Sequence, residues 1–389
     1  MTDKLGHSQI IPYILGLNET ADKIIVISFE KNKDLKKIKK LFSNNNIKWI
    51  NLKFTKKSFF LIKSIDFLKI IFVPIFVSIF SSMNIIHGRG HLPSISGLIC
   101  KVLLNKKFIF DCRGLWADER LDNLDWNKKK IFYLIVYKFF KFIEKQFLQK
   151  SDHVVVLTNK IRDILVTKYL LSKNKFTVIP CSADYNKFKI IRNSQITKHK
   201  SIIGVNNSDL VIGYFGSISN IYMPEKMIDF FILSKKHYLN PKIIFFSDNF
   251  NYLKKNTKNF YKLKTNDYLL INSNPNDLII YYNLCDLTLC FVNSTFARMA
   301  SFPTKIAESL ACGTPVLCNK NVGDIDIILS KYYKYATIDV NKNSDLSFFA
   351  SRIKYFKKLN KYTIRRLSKP YLNLLTAQNK YRYVIETIL

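Results

Sequence analysis

Short runs of β-branched and aromatic residues alternate along the chain with longer stretches whose apolar positions recur every three or four residues. The first pattern predicts buried strands and the second amphipathic helices. Strands are expected at residues 24–29, 84–87, 108–112, 153–157 and 176–180, and helices over 92–104 and 129–148. A polar segment rich in Lys, Asn and Ser, 190–208, reads as a linker, after which the rhythm restarts. It predicts a strand at 210–215, a helix at 224–236 and strands at 242–246, 268–271, 287–291, 315–318 and 335–338. Helices at 345–359 and 371–389 close the chain. Alternation of this kind predicts an α/β protein with parallel sheets. At 389 residues the chain exceeds the usual single domain, so two similar halves with a cleft between them are expected.

The start is unusual. A helix is predicted near Ser8-Gln9-Ile10, before any strand. A doubly wound domain normally opens with a strand whose carboxyl end faces the ligand. The expectation is that a first strand lies upstream of Met1. The longest apolar run, 67–80, is interrupted by Lys69, Pro74 and Ser78. That is too short to span a bilayer, so an interfacial or core helix is expected.

Composition changes the picture in two ways. The net charge is +34, from 62 Lys+Arg against 28 Asp+Glu, which invites a nucleic-acid reading. Yet only ten of the 62 are Arg, and the 52 Lys are spread over the whole sequence. Diffuse charge favours anionic partners such as acidic lipid or phosphates without specifying a nucleic acid. In so Lys-rich a chain, the arginines at 89, 113, 120 and 298 stand out, because a guanidinium offers a planar fork for carboxylate or phosphate. The seven cysteines show no paired spacing and read as buried thiols of a reducing compartment. The six histidines form no metal-ligand spacing.

Residues 301–319, SFPTKIAESLACGTPVLCN, carry the most chemistry. Pro303 suits a first helical turn, Gly313 a helix stop, and Pro315-Val316-Leu317 a following strand. A helix start presents free N–H groups and partial positive charge to a phosphate. Lys305 adds a full charge, and Glu308, one turn on, is placed to accept from ribose hydroxyls. Phosphate plus ribose means a nucleotide; an ordinary amphipathic helix with a glycine stop is the alternative. Gly216, after the strand at 210–215, would let backbone approach a phosphate, or simply make a βα turn. Asp111, Arg113, Asp118 and Glu119 fall within nine residues after another strand. That cluster predicts acceptor binding or acid/base work, or else an ion-pair network ordering the loop. His87 and Arg89, at a third strand end, have a cleft role or a capping role.

The stretch Phe302 to Pro315 resembles the signature of retaining glycosyltransferases of the two-domain GT-B fold, family 4. The resemblance runs over nearly the whole chain. Leu5-Gly6-His7-Ser8-Gln9 is similar to the family's first loop and helix, and Ser28-Phe29-Glu30-Lys31 to the end of its second strand. Asp111 to Arg120 is similar to a motif of enzymes that make bacterial surface polysaccharides. Gly213-Tyr214-Phe215-Gly216-Ser217 resembles the glycine turn that opens the second domain. Two departures stand out. Ala300 occupies a position where the family often has a glutamate, and no basic residue follows the glycine turn in Asn220 to Glu225.

The resemblance implies two Rossmann-like domains facing across a cleft: residues 1–189 on the acceptor side and 190–370 on the nucleotide-sugar side. Residues 371–389 would form a helix returning to the first domain. It implies donor binding by Gly216, Ser217, Arg298, Phe302, Pro303, Thr304, Lys305 and Glu308, and acceptor-side roles for Gly6, His87 and Arg89. Asp111, Arg113, Asp118 and Glu119 are the catalytic candidates. The expected activity is transfer of a sugar, with retention and without metal or cofactor, to a saccharide acceptor, lipid-linked, in surface polysaccharide synthesis. Lys128-Lys129-Lys130 before an aromatic helix suggests contact with anionic lipid. The expected location is the cytoplasmic face of the plasma membrane, as a peripheral protein. A nucleotide-sugar epimerase of the same fold and a basic protein binding nucleic acid or membrane are the rival readings.

Overall fold

The computed structural model describes the chain except residues 32–34, 56–59, 128, 273 and 275, and the side chains of 60–63. Lys128 therefore lies outside the described residues. The chain divides into two compact units, Met1–Pro180 with Leu374–Leu389, and Cys181–Asn373.

In the first unit, two short helices, Lys4–Gln9 and Ile11–Gly16, precede the first strand. A two-stranded parallel sheet pairs β1 (Ile24–Glu30) with β2 (Ile47–Lys53). Strand β2 was not legible as a strand: Lys48 and Lys53 break its apolar run. A four-stranded parallel sheet has the order β3 (Ile85–Arg89), β4 (Lys107–Cys112), β5 (His153–Val156), β6 (Phe176–Val178). Each step moves one strand in the same direction, so right-handed crossovers put the intervening helices on one face. Phe108 and Phe110 of β4 point to that face and pack on Phe147. Ile109, of opposite parity, points to the other face, where Tyr381, Val384 and Ile388 of the Leu374–Ile388 helix cover it with Val155 and Ile179. Asp111 shares the parity of Ile109 and so reaches the layer of the C-terminal helix. The apolar run 67–80 is the end of a helix, Phe60–Phe80, with Pro74 inside it. Among the described residues no helix is long and apolar enough to cross a membrane.

The second unit is one six-stranded parallel sheet of order β12-β11-β10-β7-β8-β9. Its strands are β7 (Val211–Phe215), β8 (Lys242–Ser247), β9 (Tyr268–Asn272), β10 (Leu287–Cys290), β11 (Val316–Asn319) and β12 (Thr337–Ile338). The chain builds outward from β7 through β8 to β9, then crosses back to β10 and builds the other way. Strands β7 and β10 thus flank the switch point, and a doubly wound sheet takes its ligand beyond the carboxyl ends of the strands at such a point.

Three sequence expectations shift here. The segment 190–208 is not a plain linker: it contains the helix Asn193–Ile202. Residues 181–189, expected in the first domain, lie in the second unit, where the Arg365 guanidinium donates to the carbonyls of Tyr185 and Phe188. The expected terminal helix is two helices, Lys361–Leu372 and Leu374–Ile388, parted at Asn373, and only the second belongs to the first unit.

Candidate functional site

The second unit gathers its chemistry at the carboxyl end of β7. Gly216 follows the last residue of that strand with φ +112°, a conformation that disfavours any side chain. Its N–H donates to Phe246 O at 3.0 Å, which fixes the turn, and Gly216 and Ser217 are both exposed. The helix Thr304–Ala311 brings Lys305 to this turn: a Cβ on Gly216 would sit 3.3 Å from Lys305 Nζ. Pro303 is the residue capping that helix, one position earlier than the sequence suggests, and Thr304 is its first helical residue. Phe302 is buried and anchors the approach to the helix.

Lys305 is caged. Its ammonium donates to the Tyr214 hydroxyl at 3.2 Å and lies 4.2 Å from the centroid of that ring and 3.9 Å from that of Tyr222. Tyr214 in turn donates to Ser217 O at 2.5 Å, so the cation, the phenol and the glycine turn form one chain. Burial pushes the Lys305 ammonium down to about 8, with Glu308 and two neighbouring thiols pulling the other way. The sequence shows no basic residue in the loop 220–225; in the fold, Tyr222 from that loop holds the cation that Lys305 supplies instead.

Glu308 lies one turn beyond Lys305 on the same helix face. Its Oε2 accepts from the Tyr282 hydroxyl at 2.9 Å, and the Tyr282 ring stacks on Phe215 at 4.0 Å. Burial raises the Glu308 carboxyl above its usual range, opposed by that hydrogen bond and by Lys187 and Lys305. The helix is held against the sheet through Ser309, whose hydroxyl bonds Thr288 at 2.8 Å and Thr314 O at 2.9 Å. Arg298 ends up half-buried in the turn Phe296–Ala300, its carbonyl accepting from Gly323 N at 3.0 Å. Ala300 is buried in the same turn, so a longer side chain there would have to displace its neighbours. Tyr214, Tyr222 and Tyr282 were not among the expected site residues. The motif around Gly216 contains the first, but only the fold brings the other two beside Lys305 and Glu308.

In the first unit Asp111 is the hub of a separate cluster. It has no exposed surface, and its Oδ2 accepts from Arg89 at 2.8 Å and from Tyr381 at 2.8 Å, with His87 Nε2 at 3.2 Å. Arg113 stands 3.7 Å from Oδ1. Burial opposes ionisation, yet the two guanidinium groups and His87 outweigh it and hold Asp111 well below the usual carboxylate range. This arrangement matches the ion-pair reading of the cluster: Asp111 is sealed from solvent and firmly ionised, and its proton path to solvent runs through His87. Arg89 also donates to Gln9 O at 2.7 Å, and Arg113 to Ile179 O at 3.3 Å, so the hub ties β3 and β4 to the N-terminal and C-terminal helices. His87 is the most exposed member of the cluster, ahead of the half-buried Arg89 and Arg113.

Asp118 and Glu119 do not join this hub. Asp118 is buried and accepts from Tyr137 at 2.9 Å and Lys141 at 2.8 Å; Lys141 also pairs with Glu144, which accepts from His91 at 2.9 Å. Glu119 packs beside Gly114, with its N–H bonded to Leu115 O at 2.8 Å. Gly6 sits where any side chain would strike the backbone of Met1, a packing reason for glycine. Six of the seven cysteines, all but Cys181, are buried. Among the described residues no three His, Cys, Asp or Glu side chains gather as a metal site would require.

Two family models match in succession: Glycosyltransferase Family 4 over residues 65–187 and Glycosyl transferases group 1 over residues 195–362. No curated protein matches the sequence. Among solved structures the chain is similar to Anabaena HepE in complex with UDP and glucose, with TM-score 0.73 and 14% identity, covering 100% of this chain and 98% of that one. It is similar to a glycosyltransferase from Rickettsia africae, with TM-score 0.71 and 15% identity, covering 99% and 96%. The E. coli trehalose-6-phosphate structure with UDP-2-fluoro glucose follows at TM-score 0.65 and 11% identity, covering 100% and 96%. At these identities the structures speak for the fold alone, and the family models for the kind of enzyme. The chain is a glycosyltransferase of the GT-B type, similar to family 4.

Proposed function

We propose that the protein transfers a sugar from a nucleoside diphosphate donor to a saccharide acceptor with retention at the anomeric carbon. The observation that carries this reading is the caged ammonium of Lys305 beside the Gly216 turn, with Glu308 one turn away on the same helix. A departing diphosphate needs positive charge where negative charge develops. Lys305, the start of the Thr304–Ala311 helix and Arg298 supply it without a metal. Glu308, oriented by Tyr282, accepts from hydroxyls of the ribose or the sugar. As the diphosphate leaves, the anomeric carbon takes on oxocarbenium character and the acceptor hydroxyl bonds to it from the same face, its proton passing to an oxygen of the departing diphosphate. HepE was solved with UDP and with glucose, which favours a uridine donor as the first to try. His87, exposed beside Asp111, is the acceptor-side candidate. A lipid-linked saccharide of bacterial surface polysaccharide synthesis is the acceptor class that the Asp111 to Arg120 motif suggests.

The same-fold epimerase reading needs acid and base carboxylates on both faces of the sugar, and the ion-paired burial of Asp111 weighs against it. The experiment is a panel of nucleotide sugars incubated with lipid-linked saccharides. Release of nucleoside diphosphate that depends on both substrates, with the anomeric configuration of the product equal to that of the donor, supports the reading. Inverted product, or interconversion of donors without transfer, overturns it.

A further inference from the structure

Two helices of the first unit turn apolar faces to solvent. On Phe60–Phe80 the exposed residues Ile65, Leu68, Phe72, Phe76 and Phe80 recur at three and four and so form one stripe. On Ile131–Lys150 the exposed residues Ile131, Ile135, Phe139 and Phe142 form another. Phe76 is 64% and Ile131 73% exposed, far beyond what scattered surface residues of an ordinary helix show. The helix His91–Leu104 packs against both, so the stripes belong to one helical layer.

The charge on this layer is sorted. The carboxylates of the two helices, Asp66 and Glu144, are buried and satisfied from within, Asp66 by Thr55 and Glu144 by His91 and Lys141. The outward charges on the Ile131–Lys150 helix are Lys138, Lys145 and Lys150. A face of exposed phenylalanine and isoleucine whose outward helix charges are lysines, with the neighbouring Asp125 paired to Arg120, is complementary to an anionic lipid surface, where rings enter the headgroup boundary and ammonium groups meet phosphate. A second copy of the chain would set lysines against lysines.

Position matters as well. His91, just beyond the carboxyl end of β3, bonds Glu144 and so fixes the height of that helix on the sheet. Residues 131–142 therefore continue past the carboxyl edge, at about 1.5 Å per residue. That is the edge from which His87 and Asp111 project.

We infer that the outer face of the Phe60–Phe80 and Ile131–Lys150 helices docks in plane on anionic bilayer, holding the carboxyl edge of the first sheet close to lipid-linked acceptor. Only the mention of acceptor rests on the transferase reading; the docking itself does not.

The test is flotation of the full chain with vesicles of phosphatidylcholine alone or with about a quarter phosphatidylglycerol, the anionic fraction expected to recruit basic surfaces. The full chain is expected to float with the anionic vesicles and to be released by salt. The pair Phe72→Glu and Phe76→Glu, or Phe139→Glu and Phe142→Glu, should weaken flotation by more than about tenfold. Lys138→Glu and Lys145→Glu should each cost about fivefold, on anionic vesicles only. Thermal unfolding and stabilisation by UDP should be unchanged in every variant, since these side chains face solvent. Equal flotation of wild type and the phenylalanine variants overturns the inference. So does a concentration-dependent dimer abolished by the same substitutions, which would assign the face to a second copy. Turnover on a soluble acceptor reads the transferase proposal separately.

Discussion

The Tyr282 hydroxyl donates to Glu308 Oε2 at 2.9 Å while its ring lies flat on Phe215 at 4.0 Å, so strand β7 sets the direction of a carboxylate on a distant helix. Removing the hydroxyl alone should expose that dependence. In Tyr282→Phe the ring and its stacking remain, but Glu308 loses its donor, an interaction with a charged group of about 1.5–3 kcal/mol. Nucleoside diphosphate affinity is expected to fall by about tenfold. The sign of the pH effect is fixed by the raised Glu308 carboxyl. Without the hydroxyl it rises further, so the deficit grows as pH is lowered. Calorimetric titration at several pH values checks this. A double-mutant cycle with Glu308→Gln should show strong coupling, and additive losses would mean that the two side chains act separately.

Lys305 titrates within reach of ordinary buffers. Its ammonium is pushed down to about 8 by burial, whereas a bound diphosphate favours the charged form. The free protein therefore binds donor best below about pH 8 and loses up to about tenfold affinity per unit above it. Lys305→Met should bind weakly and show no such slope. Tyr222→Leu keeps the lysine but removes one ring of its cage, a contribution of about 1–2 kcal/mol, so affinity should fall while the slope persists. UDP-induced shifts of the unfolding midpoint at pH 7 and pH 9.5 distinguish the three.

The parts of the proposed donor site that the sequence offered are local: Lys305 and Glu308 lie on one short helix, with Pro303 capping its start and Gly313 just past its end, and Gly216 announces itself by following an apolar strand. The tyrosines were not legible, because Tyr222 and Tyr282 reach Lys305 and Glu308 from two other segments of the chain, Tyr282 from 26 residues before Glu308 and Tyr222 from still earlier, and nothing in their neighbours marks them. The Asp111 motif shows the opposite limit. Acid and arginine in close sequence are as consistent with a catalytic group as with a buried ion pair, and only the partnership with Tyr381, from the last helix, separates the two. Strand β2 escaped notice for a third reason: on the edge of a two-stranded sheet it carries lysines that a buried strand would exclude.

Asp111 should matter more for stability than for the chemical step. A buried, ion-paired carboxylate held below its usual range stabilises the fold above about pH 4 and loses that contribution as pH falls below it. Asp111→Asn leaves the half-buried Arg89 and Arg113 against a neutral partner, at a cost of about 1–3 kcal/mol. The variant is expected to unfold at lower urea concentration at pH 7, with a deficit that narrows at pH 3. A variant as stable as wild type yet inactive would instead return Asp111 to the chemistry.

Two glycines flank the donor helix, and replacing each with alanine separates binding from folding. At Gly216 the backbone has φ +112° and the new methyl would lie 3.3 Å from Lys305 Nζ, the mobile end of a side chain. The ammonium can yield, so beyond a backbone strain of about 1–3 kcal/mol the main consequence of Gly216→Ala should be a displaced cation and a loss of UDP affinity. At Gly313, φ is +72° and the methyl would meet Lys361 O at 2.6 Å, backbone that has nowhere to go. Gly313→Ala should therefore lower the unfolding midpoint more than Gly216→Ala does, while the fraction that stays folded binds UDP with little change. Equal effects of the two substitutions on affinity would mean that the Gly216 turn does not sit beside the donor phosphates.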